Sequence, residues 1–319
     1  MTRRILAILA VVAAACGIIS LRSPSQLAAI FASPPVVQVA PASAPVQVKL
    51  PLEQKSVRFA VIGDNGTGDT PQYEVAAEME AYQKAVGYDF VVMMGDNIYG
   101  SHNPQDIQRK FETPYKPLLD AGVKFYACLG NHDDSNETLY KPFNMNGQHY
   151  YSFKKSDVQF FVLDSNYMDA KQLEWIQSQL SGSTAKWKIA YFHHPLYSDG
   201  RFHGPDLDLR KQLMPIFEKY GVNVVLSGHD HVYERFKPEE GIYFFLVGNS
   251  GELRYHNLRQ GSNIMAAGFD TDRTFMLVEI SGDKLYFQTI SRTGQTVDSG
   301  ELQRQPKPQT SIQAQQQVR

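Results

Sequence analysis

The chain has almost no cysteine. Among its 319 residues only Cys16 and Cys128 occur, too few for a disulfide scaffold. Cys16 falls in an apolar N-terminal run, so loss of that run would leave Cys128 without an intrachain partner. Basic excess is missing too. Lys and Arg number 31 against 33 Asp and Glu, a formal net charge of -2, which argues against nucleic acid as a binding partner. No internal repeat is present. What the chain does have is 43% hydrophobic and 20% charged residues, a globular balance that excludes collagen, coiled coil and wholesale disorder. Its length suits one large domain with extensions and a sizeable core.

The ends read differently from the middle. Thr2-Arg3-Arg4 precedes an apolar run over 5–15, the pattern of a secretory signal, so export is expected. Ala13-Ala14-Ala15-Cys16 also resembles a lipoprotein signal, and 17–21 prolongs the apolar run. Three outcomes stay open: a cleaved signal, a lipid-anchored Cys16, or a retained membrane anchor. Each places the rest of the chain outside the cytoplasm, whether periplasmic, extracellular or attached to a membrane through the N-terminus. The expected organisation is a signal peptide or anchor over 1–22, a Pro/Ala-rich linker over 23–54, a catalytic domain over 55–303 and a Gln-rich disordered tail over 304–319.

Between the ends, apolar runs read as strands at 57–62, 90–94, 124–129, 158–163, 187–192, 222–226, 243–247, 275–280 and 284–290. Helices fit 71–86, 170–180 and 206–220; in the second, Leu173, Ile176 and Leu180 form one apolar stripe. Such alternation is the pattern of an α/β domain.

Five of these strands end in polar turns: Gly63-Asp64-Asn65-Gly66, Gly95-Asp96-Asn97-Ile98-Tyr99, Gly130-Asn131-His132-Asp133, His193-His194-Pro195 and Gly228-His229-Asp230-His231. Taken singly, an Asp or Asn in such a turn caps a helix or closes the turn, and a His fills the core. Five in register with five strands are not explained by capping. Ligands of open α/β sheets bind outside the carboxyl ends of the strands, so the turns are expected to converge on one crevice. Carboxylates, imidazoles, an amide oxygen and a phenol make a nitrogen and oxygen donor set suited to Fe, Zn or Mn. The donors exceed what one tetrahedral ion takes, which indicates two metals sharing a bridging carboxylate.

With its five blocks in this order, the stretch 57–290 resembles the calcineurin-like metallophosphoesterases, and within them the purple acid phosphatases of the small tartrate-resistant type. Two details select the subgroup. Two residues beyond Asp64 stands Gly66, where most of the family has His, and Tyr99 follows Asp96 by three, as in the Gly-Asp-x-x-Tyr block of purple acid phosphatases. The resemblance implies a two-sheet sandwich flanked by helices, αββα. It implies that Asp64, Asp96, Tyr99 and His231 hold Fe(III), and that Asp96 bridges to a divalent Fe, Zn or Mn held also by Asn131, His193 and His229. His193 is preferred to His194 because the family pattern is His-x-Pro with the ligand first. His132 and His203 correspond to two family histidines that contact substrate outside the metal shell and are the candidate catalytic residues. His203 stands one residue further from His193 than in the mammalian type, and Val232-Tyr233-Glu234-Arg235 resembles the plant-type ending.

The function this implies is hydrolysis of phosphate monoesters, with a small phosphorylated substrate and with His132 protonating the departing oxygen, aided by Asp133 or Asp134. A phosphodiesterase or nucleotide pyrophosphatase on the same core is the rival enzyme, and an inactive metal-binding surface module the rival of another class. The residues that read the leaving group are expected on the loops 101–109, 133–148 and 198–205.

Overall fold

The computed structural model describes residues 45–305. The leader expected over 1–22, most of the linker and nearly all of the tail lie outside the described residues. Among the described residues no helix is long and apolar enough to cross a membrane.

Two sheets carry the fold. In the first, β1 (Val57–Ile62), β2 (Phe90–Met93) and β3 (Lys124–Ala127) run parallel. β11 (Thr274–Ser281), β12 (Lys284–Ser291) and β13 (Thr296–Gln303) extend that sheet antiparallel from the other side of β1. The second sheet contains β4 (Tyr151–Lys155), β5 (Val158–Val162), β6 (Trp187–Tyr191), β7 (Val224–Ser227), β8 (Tyr233–Phe236), β9 (Tyr243–Val247) and β10 (Met265–Phe269). Its order is β10-β8-β9-β7-β6-β5-β4, with β5, β6, β7 and β9 parallel. The helices are α1 (Thr70–Val86), α2 (Pro104–Ile107), which runs on into a π turn at Gln108–Glu112, α3 (Lys116–Asp120), α4 (Ala170–Gly182) and α5 (Leu207–Tyr220).

The central strands are continuous apolar runs because both of their faces are covered. β5 shows the alternation. Phe160 meets Phe59 and Phe90 of the first sheet, ring centroids 5.2 and 5.5 Å apart. Phe161 and Leu163 point the other way, into a cluster with Ile176 and Leu180 of α4 and Leu213 and Phe217 of α5. On the far side of the first sheet, Tyr82 of α1 lies edge-on to Phe275 at 5.7 Å. The layers are helix, sheet, sheet, helix, the αββα sandwich that was expected.

The long helices start and stop where local chemistry dictates. Asp69, Asp169 and Asp206 accept backbone N–H groups of the first turns of α1, α4 and α5, satisfying donors that have no partner within the helix. Asp206, expected inside the third helix, is thus its cap.

Differences at strand ends are small and share one cause. Met94, Cys128, Leu163 and Phe192, expected as strand residues, continue the backbone pairing by single hydrogen bonds (Met94 N to Ile62 O at 2.8 Å, Cys128 N to Met93 O at 3.1 Å) as the chains peel into the turns. Cys128 therefore lies just past β3 and not on it. Strands β4, β8, β10 and β13 were not expected. β13 is polar and half-exposed, and β4 carries Lys154 and Lys155, so neither shows an apolar run. The end of the expected linker is also more engaged than its composition suggests. Lys49 N donates to Gln288 Oε1 at 2.8 Å, Leu52 and Glu53 N–H groups donate to the Glu279 carboxylate, and Leu50 is buried.

Candidate metal centre

The five polar turns do converge at the carboxyl ends of β1, β2, β3, β6 and β7, and backbone hydrogen bonds hold the first two together: Asp64 N donates to Gly95 O at 3.0 Å and Gly66 N to Asp96 O at 3.3 Å. Asp64, Asp96 and His229 adopt left-handed backbone conformations, with φ of 53°, 50° and 74°. Such geometry in residues with a Cβ costs of order 1–3 kcal/mol each and is retained where the surroundings over-determine it. Close approach does so here. A Cβ on Gly130 would stand 2.1 Å from Asp96 Oδ1, and one on Gly228 would stand 2.4 Å from Asp64 Oδ2. Only glycine lets these two turns reach the carboxylates.

The side chains form two adjoining groups. In the first, one donor atom each from Asp64, Asp96 and His231 lies within 4.8 Å of the others. Tyr99 completes it, with its hydroxyl 3.2 Å from Asp64 Oδ1 and 3.2 Å from His231 Nε2. In the second, His193 Nε2 is 3.0 Å from Asn131 Oδ1 and 3.1 Å from His229 Nδ1. His193 Nδ1 is 2.9 Å from the Met94 carbonyl, which accepts its proton and leaves Nε2 as the lone-pair atom facing inward. Asp96 stands between the groups: its Oδ1 is 3.5 Å from His193 Nε2 and accepts the His132 N–H at 2.9 Å, while its Oδ2 is buried with no protein partner.

Electrostatics point the same way. Burial pushes the Asp64 carboxyl well above its ordinary value, with the Asp96 charge adding to the shift. Burial, then neighbouring imidazoles, push His229 far below, and burial also lowers His231. Buried carboxylates without a counter-charge and neutral imidazoles with converging lone pairs both lack a cation. The orphaned Asp96 Oδ2 and the mixed oxygen and nitrogen donors fit two hard or borderline ions that share Asp96.

The remaining sequence candidates lie around this centre. The His132 ring is exposed and sits 4.9 Å from the Tyr99 ring, centroid to centroid. His203 is 4.1 Å from His229 and 6.2 Å from His231 by the same measure. His194 is nearer than its place as a mere neighbour suggested, since it joins His193 and His229 in a group of donor atoms within 4.8 Å. Its Nδ1 lies 2.9 Å from Ser165 Oγ, and burial lowers its pKa to about 4. One expectation is corrected. Neither Asp133 nor Asp134 is paired with His132: the Asp133 carboxylate accepts from Asn97 Nδ2, Gly130 N and Ile98 N, and Asp134 caps the turn Ser135–Leu139. Asp133 braces the turns that carry Asp96 and Asn131.

Several residues at the site were given no role from the sequence. Asp230 and Glu234 are buried and joined through Ser198, whose hydroxyl lies 2.5 Å from Asp230 Oδ2 and 3.0 Å from Glu234 Oε1. Gly204 N and His203 N donate to Asp230 at 2.9 and 3.3 Å, so this pair anchors the loop that carries His203. His149 and Asp164, 2.9 Å apart, form a further pair beside the second group.

Comparison with known proteins agrees with this geometry. The family profile for calcineurin-like phosphoesterase matches residues 57–233. The chain is 25% identical to tartrate-resistant acid phosphatase type 5 of Rattus norvegicus, over 79% of this chain and 92% of that protein. It is 28% identical to purple acid phosphatase 17 of Arabidopsis thaliana, over 61% of this chain and 68% of that one. The purple acid phosphatase PPD1 of yellow lupin (Lupinus luteus) shares the fold, with a TM-score of 0.66 at 19% identity over 80% of this chain and 55% of that chain. With a profile that spans more than half of its length, the chain belongs to the calcineurin-like phosphoesterase family and is a hydrolase of phosphate esters.

Proposed function

We propose that the chain hydrolyses phosphate monoesters in the manner of a purple acid phosphatase, at a pair of ions, Fe(III) with a divalent Fe, Zn or Mn. The observation that carries this reading is the position of Tyr99, whose hydroxyl faces Asp64 and His231 where most of the family supplies a histidine two residues after the first aspartate. Asp64, Asp96, Tyr99 and His231 would hold the iron, and Asp96, Asn131, His193 and His229 the divalent ion. Two such cations offset the charge of the ester and activate water for in-line attack.

The chain's own residues supply the rest. His132 is tied by its backbone N–H to the bridging Asp96 and carries an exposed imidazole beside Tyr99. It is suited to protonate the departing oxygen, because imidazole is the side chain most often placed as a general acid. His203, on the loop held by Asp230, is suited to hold a phosphate oxygen. Tyr99, His132 and His203 would then stand around the ester, while the ions that the buried Asp64 and Asp96 would hold take its charged end. The reading includes an exported catalytic domain over 55–303 behind the N-terminal signal or anchor.

The deciding experiment is phosphate release by the purified, metal-loaded protein from phenyl phosphate and from a bis-aryl phosphate diester. Faster turnover of the monoester is expected. Preference for the diester would favour the phosphodiesterase reading, and no release from either would leave a binding module.

A further inference from the structure

Two hollows open beside the second donor group, and neither is used by the chemistry described so far. The first, of about 440 Å³, is walled by Asn131, Ser165, His194, His149, Asp164 and Tyr167. The second, of about 570 Å³, shares the last three of these and adds Tyr150, Asp169 and Trp175. Together they form a groove that starts at a metal-donor residue and leads outward. A further hollow of about 510 Å³, lined in part by Lys186, Val222 and Ile242, lies at the opposite ends of β6, β7 and β9 and contains no such donors.

The groove has three properties. Its polar contact is held in place: Asp164 is buried, its Oδ2 lies 2.9 Å from His149 Nδ1 and its Oδ1 accepts the Asn166 N–H at 2.9 Å. A carboxylate only accepts, so His149 Nδ1 carries the proton and Nε2 is the ring atom left for a ligand. Its outer wall is aromatic. Tyr150 and Trp175 rest against each other with centroids 5.1 Å apart, and Tyr167 is 76% exposed. Its charge has one sign: Asp164, Asp169 and Asp206 line it, and no Lys or Arg does. On the opposite rim the charge reverses, where Arg254 stacks on Phe202 at 3.5 Å and Phe202 touches His203.

We propose that this groove is a leaving-group subsite for aryl phosphates whose ring is neutral or carries a positive charge, and that it disfavours nucleotides and other polyanions. The inference rests on the phosphatase reading above. An ester seated with its phosphate at the donor groups sends its leaving group along one wall or the other. An aromatic leaving group finds Tyr167, Tyr150 and Trp175 on the acidic side, where a cationic substituent is attracted and a carboxylate or second phosphate is repelled.

Three aryl esters of similar leaving ability differ in charge: tyramine phosphate, phenyl phosphate and 4-carboxyphenyl phosphate. With the metal-loaded protein, kcat/KM should fall in that order, by about threefold per step for partly exposed charges, and the steps should shrink as salt is raised. ATP should fall below phenyl phosphate. Asn caps a helix about as well as Asp, so the double variant Asp169→Asn, Asp206→Asn keeps both caps and should flatten the charge order. Tyr167→Ala should lower the ratio of phenyl phosphate to glycerol phosphate turnover by about fivefold, the scale of one aromatic contact. Binding supplies a separate reading. Phenylphosphonate should bind more tightly than methylphosphonate and change the emission of Trp175, the half-buried one of two tryptophans. A flat or reversed charge order, ATP preferred to phenyl phosphate, or an unchanged ratio in Tyr167→Ala would overturn the subsite. No phosphate release from any ester would sink the phosphatase reading instead, and the comparison of the two phosphonates would then decide the groove by itself.

Discussion

Tyr99 is the side chain on which the nature of the first ion turns. Its hydroxyl is equidistant, at 3.2 Å, from Asp64 Oδ1 and His231 Nε2, a place from which a phenolate reaches a shared ion. A phenolate on Fe(III) absorbs visible light by charge transfer, whereas Zn(II), with a filled d shell, has no such transition. The iron-loaded protein should therefore be coloured, and Tyr99→Phe should lose the band at matched iron content; a band that persists in the variant removes Tyr99 from the ligands. His132 permits an equally direct test. His132→Ala should lower kcat by about 10²-fold for esters with poor leaving groups, the usual scale of general acid catalysis, and less for good ones. Equal losses in steady-state assays of both classes would assign His132 to positioning. Residue identity was enough to propose the donors, because donor chemistry is a property of the side chain. It misled at Asp133, since adjacency to His132 says nothing of where the carboxylate turns, and the fold points it at Asn97 and Gly130.

Among the elements, the loop from Ser198 to Gly204 shows how a segment without regular structure is held. Glu234 on β8 is buried, and burial pushes its carboxyl up to about 8 from an ordinary 4.5. A protonated Glu234 can donate to Ser198 Oγ while the Ser198 hydroxyl donates to Asp230 Oδ2, which fits the 3.0 and 2.5 Å separations. Because the folded pKa is the higher one, the stability that this group contributes is fully present below about 4.5 and is lost as pH rises through about 8. Glu234→Gln keeps the donor towards Ser198 and the acceptor for Asp199 N without a titrating proton. Thermal midpoints measured from pH 5 to pH 9 should fall more steeply for the wild type than for this variant. Parallel curves would place the titration elsewhere. Among the strands, the parallel ones were legible because burial on both faces makes them apolar throughout. The edge strands β4, β10 and β13 were not; one side of β13, for example, faces water and its composition resembles a loop.

At the scale of the whole molecule, two layers of sheet deliver five turns to one edge, and the donors they carry come from positions as far apart as Asp64 and His231. Metal binding is then linked to folding, because the unfolded chain holds no such arrangement. Ions at one hundred times their dissociation constant add about 2.7 kcal/mol per site. Two such sites contribute about 5.4 kcal/mol, which for a domain of this size corresponds to roughly 10–20 °C in midpoint, so a chelator should lower the thermal midpoint by that amount and restored metal should recover it. A midpoint indifferent to chelator would mean that the donors do not bind ions in the folded protein. Export belongs to this scale as well: a reporter fused after residue 55 should be active only outside the cytoplasm, and activity confined to the cytoplasm would contradict it.

By itself the sequence determined the layer type, the central strands and which polar turns end them. Strand periodicity and the residue types at strand ends are local properties, and five polar turns in register with five strands are not explained by capping. Only the tertiary structure decided which polar residues meet. Asp230 reaches Ser198, Asp133 reaches Asn97 and Asp164 reaches His149 because strand register and sheet order bring separate turns within hydrogen-bonding distance. The aromatic groove arises in the same way, from a turn before β4, a turn after β5 and one face of α4. All three lie within residues 148–175, but only the pairing of β4 with β5 and the packing of α4 bring them to one wall, so its shape belongs to the packing of the elements and not to any motif.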